Sequence, residues 1–500
     1  MTFNSISFAL FFIILFTVYW FLINYNHRAQ NILLLVASYF FYGWWDWRFL
    51  ILLFGLSLSN YLLGLTIERF TTEWKRSLGL ISGITINLGV LIIFKYYSFF
   101  VQGFIALISL FGYELSYETT RLILPLGISF YTFLSLSYII DIYRGTIKAH
   151  KNIYEVLLSL SFFPIILAGP IQRPSTLIPQ IANPRTFNYT NASNGVRQIL
   201  WGLFAKVVIA DNLAPQVNEI FTNSGTYSGS TLAIGALLFS VQIYTDFSGY
   251  SNMAIGIGKL LGFNLMQNFA HPYFSRDLPE FWKRWHISLT TWFRDYLFMS
   301  ISLSISWRLK KGKIFLLRKD HFIYISASSI TWLLTGLWHG ASYNFIIWGL
   351  LNGTILIIYH LQRNPRKVLL KRFKLSNNNK FVVLIETFLT FSFIVLAWIF
   401  FRTSQPAEAC QYISNMFSKS LFAYPEIFSK RMQFLVIDFV VYILSILFFI
   451  IEWKGRDREF ALTNLNLEIR KRYRWSLYAG LILSIIALAG NQQKFIYFQF

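Results

Sequence analysis

His339 is the side chain in this sequence best placed to do chemistry. It lies in Thr335-Gly336-Leu337-Trp338-His339-Gly340-Ala341-Ser342, between two apolar stretches, and no Asp, Glu, Lys or Arg occurs from Phe322 to Gln362. An ionisable group at membrane depth is costly, so its presence marks a functional position by default. Gly336 and Gly340 let the backbone turn or approach a ligand closely. Trp338 offers a flat wall and one N–H donor. The competing reading is helix packing around a hydrogen-bonded histidine.

A second constellation is the stretch 277–289, DLPEFWKRWHISL. Asp277 with Glu280 three residues on has the form of a capping box, and Pro279 suits a first helical turn. Phe281, Trp285, Leu289, Trp292 and Tyr296 follow at helical spacing, while Lys283 and Arg294 share another face. The spacing predicts one amphipathic helix lying at the inner membrane interface. His286 falls with Trp282, Leu289 and Phe293 on the apolar side. It reads either as a buried structural histidine or as a neutral imidazole facing a reaction chamber.

Asp246, in the run 244–250 (YTDFSGY), is a further ionisable group within an apolar stretch. It either orients a polar partner or stabilises the fold. Asp141 and Asp211 stand nearer helix ends and read as structural. No G-x-S-x-G elbow and no H-E-x-x-H motif occurs. Gly256, Gly258 and Gly262 imitate a dinucleotide fingerprint at the wrong spacing. Ala254, Gly258 and Gly262 read better as a small-residue packing stripe. Cys410 is the only cysteine, so no internal disulfide, Cys-based metal cluster or redox pair forms.

The elements that must hold these residues follow from composition. The chain has 500 residues, 55% hydrophobic and 13% charged, with a mean hydropathy of +0.50. Soluble chains carry about 25% charged residues, and disorder needs low hydrophobicity. Both are excluded, leaving an all-α polytopic integral membrane protein. The 19% aromatic content fits residues that populate membrane interfaces. The net charge of +22 reads as basic cytoplasmic loops against anionic lipid rather than as nucleic-acid binding.

Apolar stretches that can cross or enter a membrane recur at 5–23, 31–45, 49–67, 77–100, 122–143, 153–172, 199–221, 231–262, 322–338, 341–360, 381–401, 433–452 and 475–490. The first lacks a basic n-region and a cleavage site, so it reads as a retained helix. Starting it outside and alternating sides puts 34 of the 44 Lys and Arg in inner loops. That bias argues for both termini outside. In this scheme 153–172 is re-entrant, and 199–262 and 322–360 are hairpins from the inside. Lys206 and Lys259 fall within apolar stretches. No fixed-period or inverted repeat is visible, which weighs against many transporter folds.

After the last stretch come residues 491–500, and five of the final six are Phe, Ile or Tyr. This tail is too apolar for water and too short to span. It is expected to fold back on the protein. One reading is an interfacial anchor. The other is that Tyr497 reaches His339 and takes a group as a phenolic ester, since a phenol ionises more readily than an aliphatic hydroxyl.

Five segments in order carry a resemblance: 163–173 (FPIILAGPIQR), 244–262 (YTDFSGYSNMAIGIGKLLG), 268–298, 334–353 and the terminal FIYFQF at 495–500. Together they resemble the membrane-bound O-acyltransferase (MBOAT) family, in its bacterial branch of alginate and peptidoglycan O-acetylation and teichoic-acid D-alanylation proteins. The resemblance implies a ring of about 11–13 tilted and re-entrant helices around a central tunnel. It implies N-terminal membrane helices over 1–120 and a catalytic core over 121–500, including the aromatic tail. The family's catalytic histidine maps onto His339 and its second polar position onto His286. Tyr497 would be the acyl relay. Trp338, Asp246, Lys283 and Arg284 would serve the substrates, with no metal and no bound cofactor.

The activity implied is transfer of an acyl group from a cytoplasmic thioester, acetyl-CoA above all, across the bacterial inner membrane to an exopolysaccharide or cell-wall glycan. An extracytoplasmic O-acetyltransferase or esterase-like partner would complete it. A thioester is already activated, so a neutral histidine need only remove a proton from the attacking hydroxyl. D-alanyl transfer to teichoic acid is the alternative within the family. A transporter or flippase with Asp246 and His339 as a proton relay, and a non-catalytic assembly subunit, are the alternatives outside it.

Overall fold

A computed structural model describes residues 1–23, 26–113, 123–309, 313–314, 317–372, 376, 378–429, 436–463, 470–490 and 492–498. The regular structure of the described residues is helical, apart from a short antiparallel pairing of Lys313 with Arg318 and Ile314 with Leu317. Among the described residues, six helices are long and apolar enough to cross a membrane by length and composition: Arg48–Arg69, Glu73–Ser109, Gly229–Leu260, Tyr343–Gln362, Lys380–Arg402 and Val436–Lys454. The protein is therefore a multi-pass, all-α membrane protein. The chain divides into two compact units, residues 1–202 with 250–266, and residues 203–249 with 267–500. The 120/121 boundary expected from sequence lies outside the described residues.

In the first unit, polar side chains join apolar helices. The amides of Asn60 and Asn87 exchange hydrogen bonds of 3.1 and 2.8 Å between Arg48–Arg69 and Glu73–Leu91, a use of polar residues as interhelical glue. Arg185 is buried and donates to Tyr19 Oη and Asn31 Oδ1, each at 2.6 Å. The stretch 153–172 does not form one helix. It breaks at Phe162 into Ile153–Ser161 and Phe163–Ile166, and residues 155–172 are buried throughout. Irregular backbone survives at such depth only when enclosed by protein.

The second unit holds the residues singled out for chemistry. Helices Lys319–His339 and Tyr343–Arg372 pack closely because glycines face backbone across the contact. A Cβ on Gly336 would lie 2.2 Å from Phe345 O, and one on Gly349 would lie 2.4 Å from Trp332 O.

The single amphipathic helix expected over 277–296 is corrected by the structure. Asp277 does cap a helix, accepting from Glu280 N at 2.8 Å, but that helix, Leu278–Arg284, stops before His286. His286 takes a left-handed φ of 43°, and a new helix, Ile287–Trp292, begins after it. The cause is tertiary. Ala270 N donates to Arg284 O and Ile287 N donates to Asn268 O, each at 2.9 Å. The segment 268–270 thus takes the backbone groups that a continuous helix would pair internally.

Candidate active site

Lys319–His339 ends on its histidine. The extended Gly340 that follows lies where a Cβ would meet the Phe345 ring at 2.5 Å, so the reversal into the next helix is tight. His339 is consequently buried in an aromatic box. Its ring centroid lies 4.7 Å from Trp338, 4.9 Å from Trp348, 5.0 Å from Phe401 and 5.8 Å from Tyr497.

His286 is 1% exposed. Its Nδ1 lies 3.0 Å from Asn268 Oδ1, which also accepts from Ser288 Oγ at 2.9 Å. An amide oxygen can only accept, so Nδ1 carries the proton and Nε2 keeps the lone pair of the neutral ring. Burial pushes the imidazole down to about 3, well below its ordinary 6.5, because an imidazolium there would be desolvated. The Phe247 ring stands 4.7 Å away, edge to face, and Trp338 stands 6.0 Å away.

Both histidines line one cavity of about 370 Å³. Trp282, Trp285 and Trp332 form part of its walls, with Lys283 and Arg294 among the lining residues. The Tyr497 ring completes the group. It packs on Phe247 at 4.2 Å and lies 6.0 Å from His286, with its hydroxyl enclosed. Burial raises the phenol's pKa well above its ordinary value, and the Trp285 indole partly offsets this. Removing its proton therefore requires an adjacent base.

Of the seven residues marked in the sequence, His339, His286, Tyr497 and Trp338 come together, with Lys283 on the cavity wall. Arg284 and Asp246 do not line the cavity. Arg284 pairs with Glu280 at 2.7 Å. Asp246 pairs with Lys206 at 2.6 Å, and its second oxygen accepts from Ile496 N at 2.8 Å. Sequence reasoning missed Asn268, whose role depends on the tertiary fold. It also missed a buried group in which Glu452 meets His271 Nδ1 and accepts from Tyr244 Oη at 2.7 Å. The only sequence signal for the Lys206 pairing was a cation within an apolar stretch. Among the described residues, no cluster of His, Cys, Asp and Glu has the arrangement to hold a metal.

The sequence profile of the membrane-bound O-acyltransferase family matches residues 146–405. The chain belongs to this family and is an acyltransferase of the membrane. It is 38% identical to the probable alginate O-acetylase AlgI of Pseudomonas putida, over 84% of this chain and 80% of that protein. It is 32% identical to the peptidoglycan O-acetyltransferase of Helicobacter pylori, over 78% and 74% of the respective chains. With the teichoic acid D-alanyltransferase of Bacillus subtilis it shares 28% identity over 56% of this chain and 69% of that one.

Proposed function

We propose that this protein transfers acetyl groups from a cytoplasmic thioester donor, acetyl-CoA, to the hydroxyls of an exopolysaccharide or cell-wall glycan outside the bacterial inner membrane. The observation that carries the reading is one enclosed group: two imidazoles beside one cavity, with the Tyr497 phenol about 6 Å from both. The similarity to two O-acetylating relatives over most of the chain supports acetyl over D-alanyl transfer.

In this reading the thioester enters between Lys283 and Arg294, whose charges attract the donor's phosphates. His339 takes the proton of the Tyr497 hydroxyl as the phenol oxygen attacks the thioester carbonyl. The carbon–sulfur bond breaks and the thiolate leaves, taking up a proton. A hydroxyl of the acceptor presented on the outer side then attacks the phenolic ester and passes its proton to the departing phenolate, so the phenol is regenerated and the acyl group has changed sides. His286, held in one tautomer by Asn268, presents Nε2 to the chamber and accepts a hydrogen bond from a reacting hydroxyl. General-base assistance of this kind contributes about 10²–10⁴-fold, and enclosure supplies positioning in addition.

Both termini lie outside in this account, and a separate extracytoplasmic protein receives the acetyl group on its way to the polymer. Anionic lipid covers the remaining inner cations. The test is acetyl-CoA consumption by purified protein. Wild type should release free CoA, and His339→Ala should fall to the buffer rate. Equal release by the two would overturn the reading.

A further inference from the structure

The Lys206–Asp246–Asp211 cluster takes no part in the chemistry above, although its three charged side chains are at least nine-tenths buried. Lys206 Nζ lies 2.8 Å from Asp211 Oδ1 and 2.6 Å from Asp246 Oδ1. It also donates to the main-chain carbonyl of Gln493 at 3.3 Å. Asp246 Oδ2 accepts from the main-chain N–H of Ile496 at 2.8 Å. The cluster therefore grips the segment 492–498 at two backbone points, one and four residues before Tyr497. Lys206 sits in a π-helical turn, Phe204–Ala210, a distortion frequent where a side chain must be re-aimed at a functional site.

The segment also borders a small polar pocket of about 20 Å³, lined by Gln242, Arg402, Gln493 and Lys494 among others. That is room for about one water.

We infer that Lys206 and Asp246 form a latch that sets the position of Tyr497 between His286 and His339. Asp246 is thereby a positioning residue acting through the backbone of Ile496, and the inference rests on the relay reading of Tyr497. Backbone hydrogen bonds are indifferent to the side chains of the segment. The latch therefore fixes where the phenol lies without constraining the acyl group it carries.

The informative variant is Asp246→Leu, which removes the acceptor for Ile496 N–H and leaves Lys206 paired with Asp211. Asp246→Asn is its conservative partner, because the amide oxygen can still accept from Ile496. In a Cys410→Ser background, Ile496→Cys provides a probe at a buried position, treated with a water-soluble maleimide on the purified full chain. With Asp246 present the probe should stay protected. With Asp246→Leu it should be labelled, and with Asp246→Asn it should be labelled more slowly.

Without the cysteine probe, Asp246→Leu should lower kcat for glycan acetylation by about 10–100-fold, the cost of misplacing a reacting group by about 1 Å. KM for the thioester should be unchanged, and Asp246→Asn should recover part of the rate. Protection of the probe in Asp246→Leu would overturn the latch. Labelling with full activity, when Tyr497→Phe is inactive, would overturn the positioning role. Labelling with full activity in Tyr497→Phe as well would overturn the relay reading and leave the latch standing.

Discussion

The Tyr497 ring lies 5.8 Å from that of His339, although 158 residues separate them and Tyr497 belongs to a short 3-10 turn, Ile496–Phe498. A phenol whose burial disfavours its ionised form therefore stands beside an imidazole able to take its proton. The second histidine, two cations and a glycine contact near this pair have consequences that substitutions can measure.

His339→Ala should abolish acyl transfer while leaving the protein inserted and folded. The loss should be at least about 10²–10⁴-fold in kcat, measured as glycan acetylation at equal expression. Transfer near the wild-type rate would remove His339 from the mechanism.

His286→Asn should retain partial activity, because an amide still offers an acceptor and a donor. His286→Ala should be weaker, having neither. Equal inactivity of the two variants would show that hydrogen bonding at position 286 is not what matters.

The same residue predicts a pH dependence of stability. Between pH values of about 3 and 6.5 the unfolded chain binds a proton at position 286 that the folded protein refuses. Its contribution to stability is therefore complete above pH 6.5 and shrinks as the pH falls towards 3. Thermal unfolding midpoints from about pH 7 to pH 4 should fall less steeply for His286→Asn than for wild type. Parallel curves would mean that the ring titrates as an exposed one does.

Lys283 and Arg294 line the cavity, whereas Arg284 is paired with Glu280. The Lys283→Ala/Arg294→Ala variant should raise KM for the thioester at low ionic strength, and added salt should narrow its difference from wild type. Arg284→Ala should change KM less. An unchanged KM in the double variant would leave these cations only the role of holding anionic lipid.

Gly336→Ala should destabilise the protein by about 1–3 kcal/mol, because its new methyl group would press on the Phe345 carbonyl. It should also depress activity by displacing His339 one turn away. Gly480→Ala, whose Cβ meets nothing within 4 Å in the helix Lys471–Ala487, should be neutral or stabilising by about 0.5–1 kcal/mol. Unfolding midpoints of the two variants provide the comparison.

Hydropathy located the long helices well. The stretch 322–338 became Lys319–His339, and 381–401 became Lys380–Arg402. These signals are local, a run of apolar residues ended by charge or glycine. The break at His286 was not legible, because residues 268–270 cause it by competing for backbone hydrogen bonds. Helical spacing alone continued through it. Lys206 and Asp246 were each visible as a charge in an apolar stretch, but nothing in the sequence paired them across 40 residues or linked them to Ile496. Asn268 carried no signal of its own, since its value lies in fixing a tautomer that only the folded chain defines.

The central claim is that the acyl group passes through Tyr497 under the control of His339. It is tested most directly by mass spectrometry of the C-terminal peptide after purified protein is incubated with acetyl-CoA and no acceptor. The account predicts an acetyl group on Tyr497 in wild type, released when a glycan acceptor is added, and none in His339→Ala or Tyr497→Phe. Consumption of the thioester with acetylation of the glycan, while Tyr497 stays unmodified and Tyr497→Phe is fully active, would contradict it.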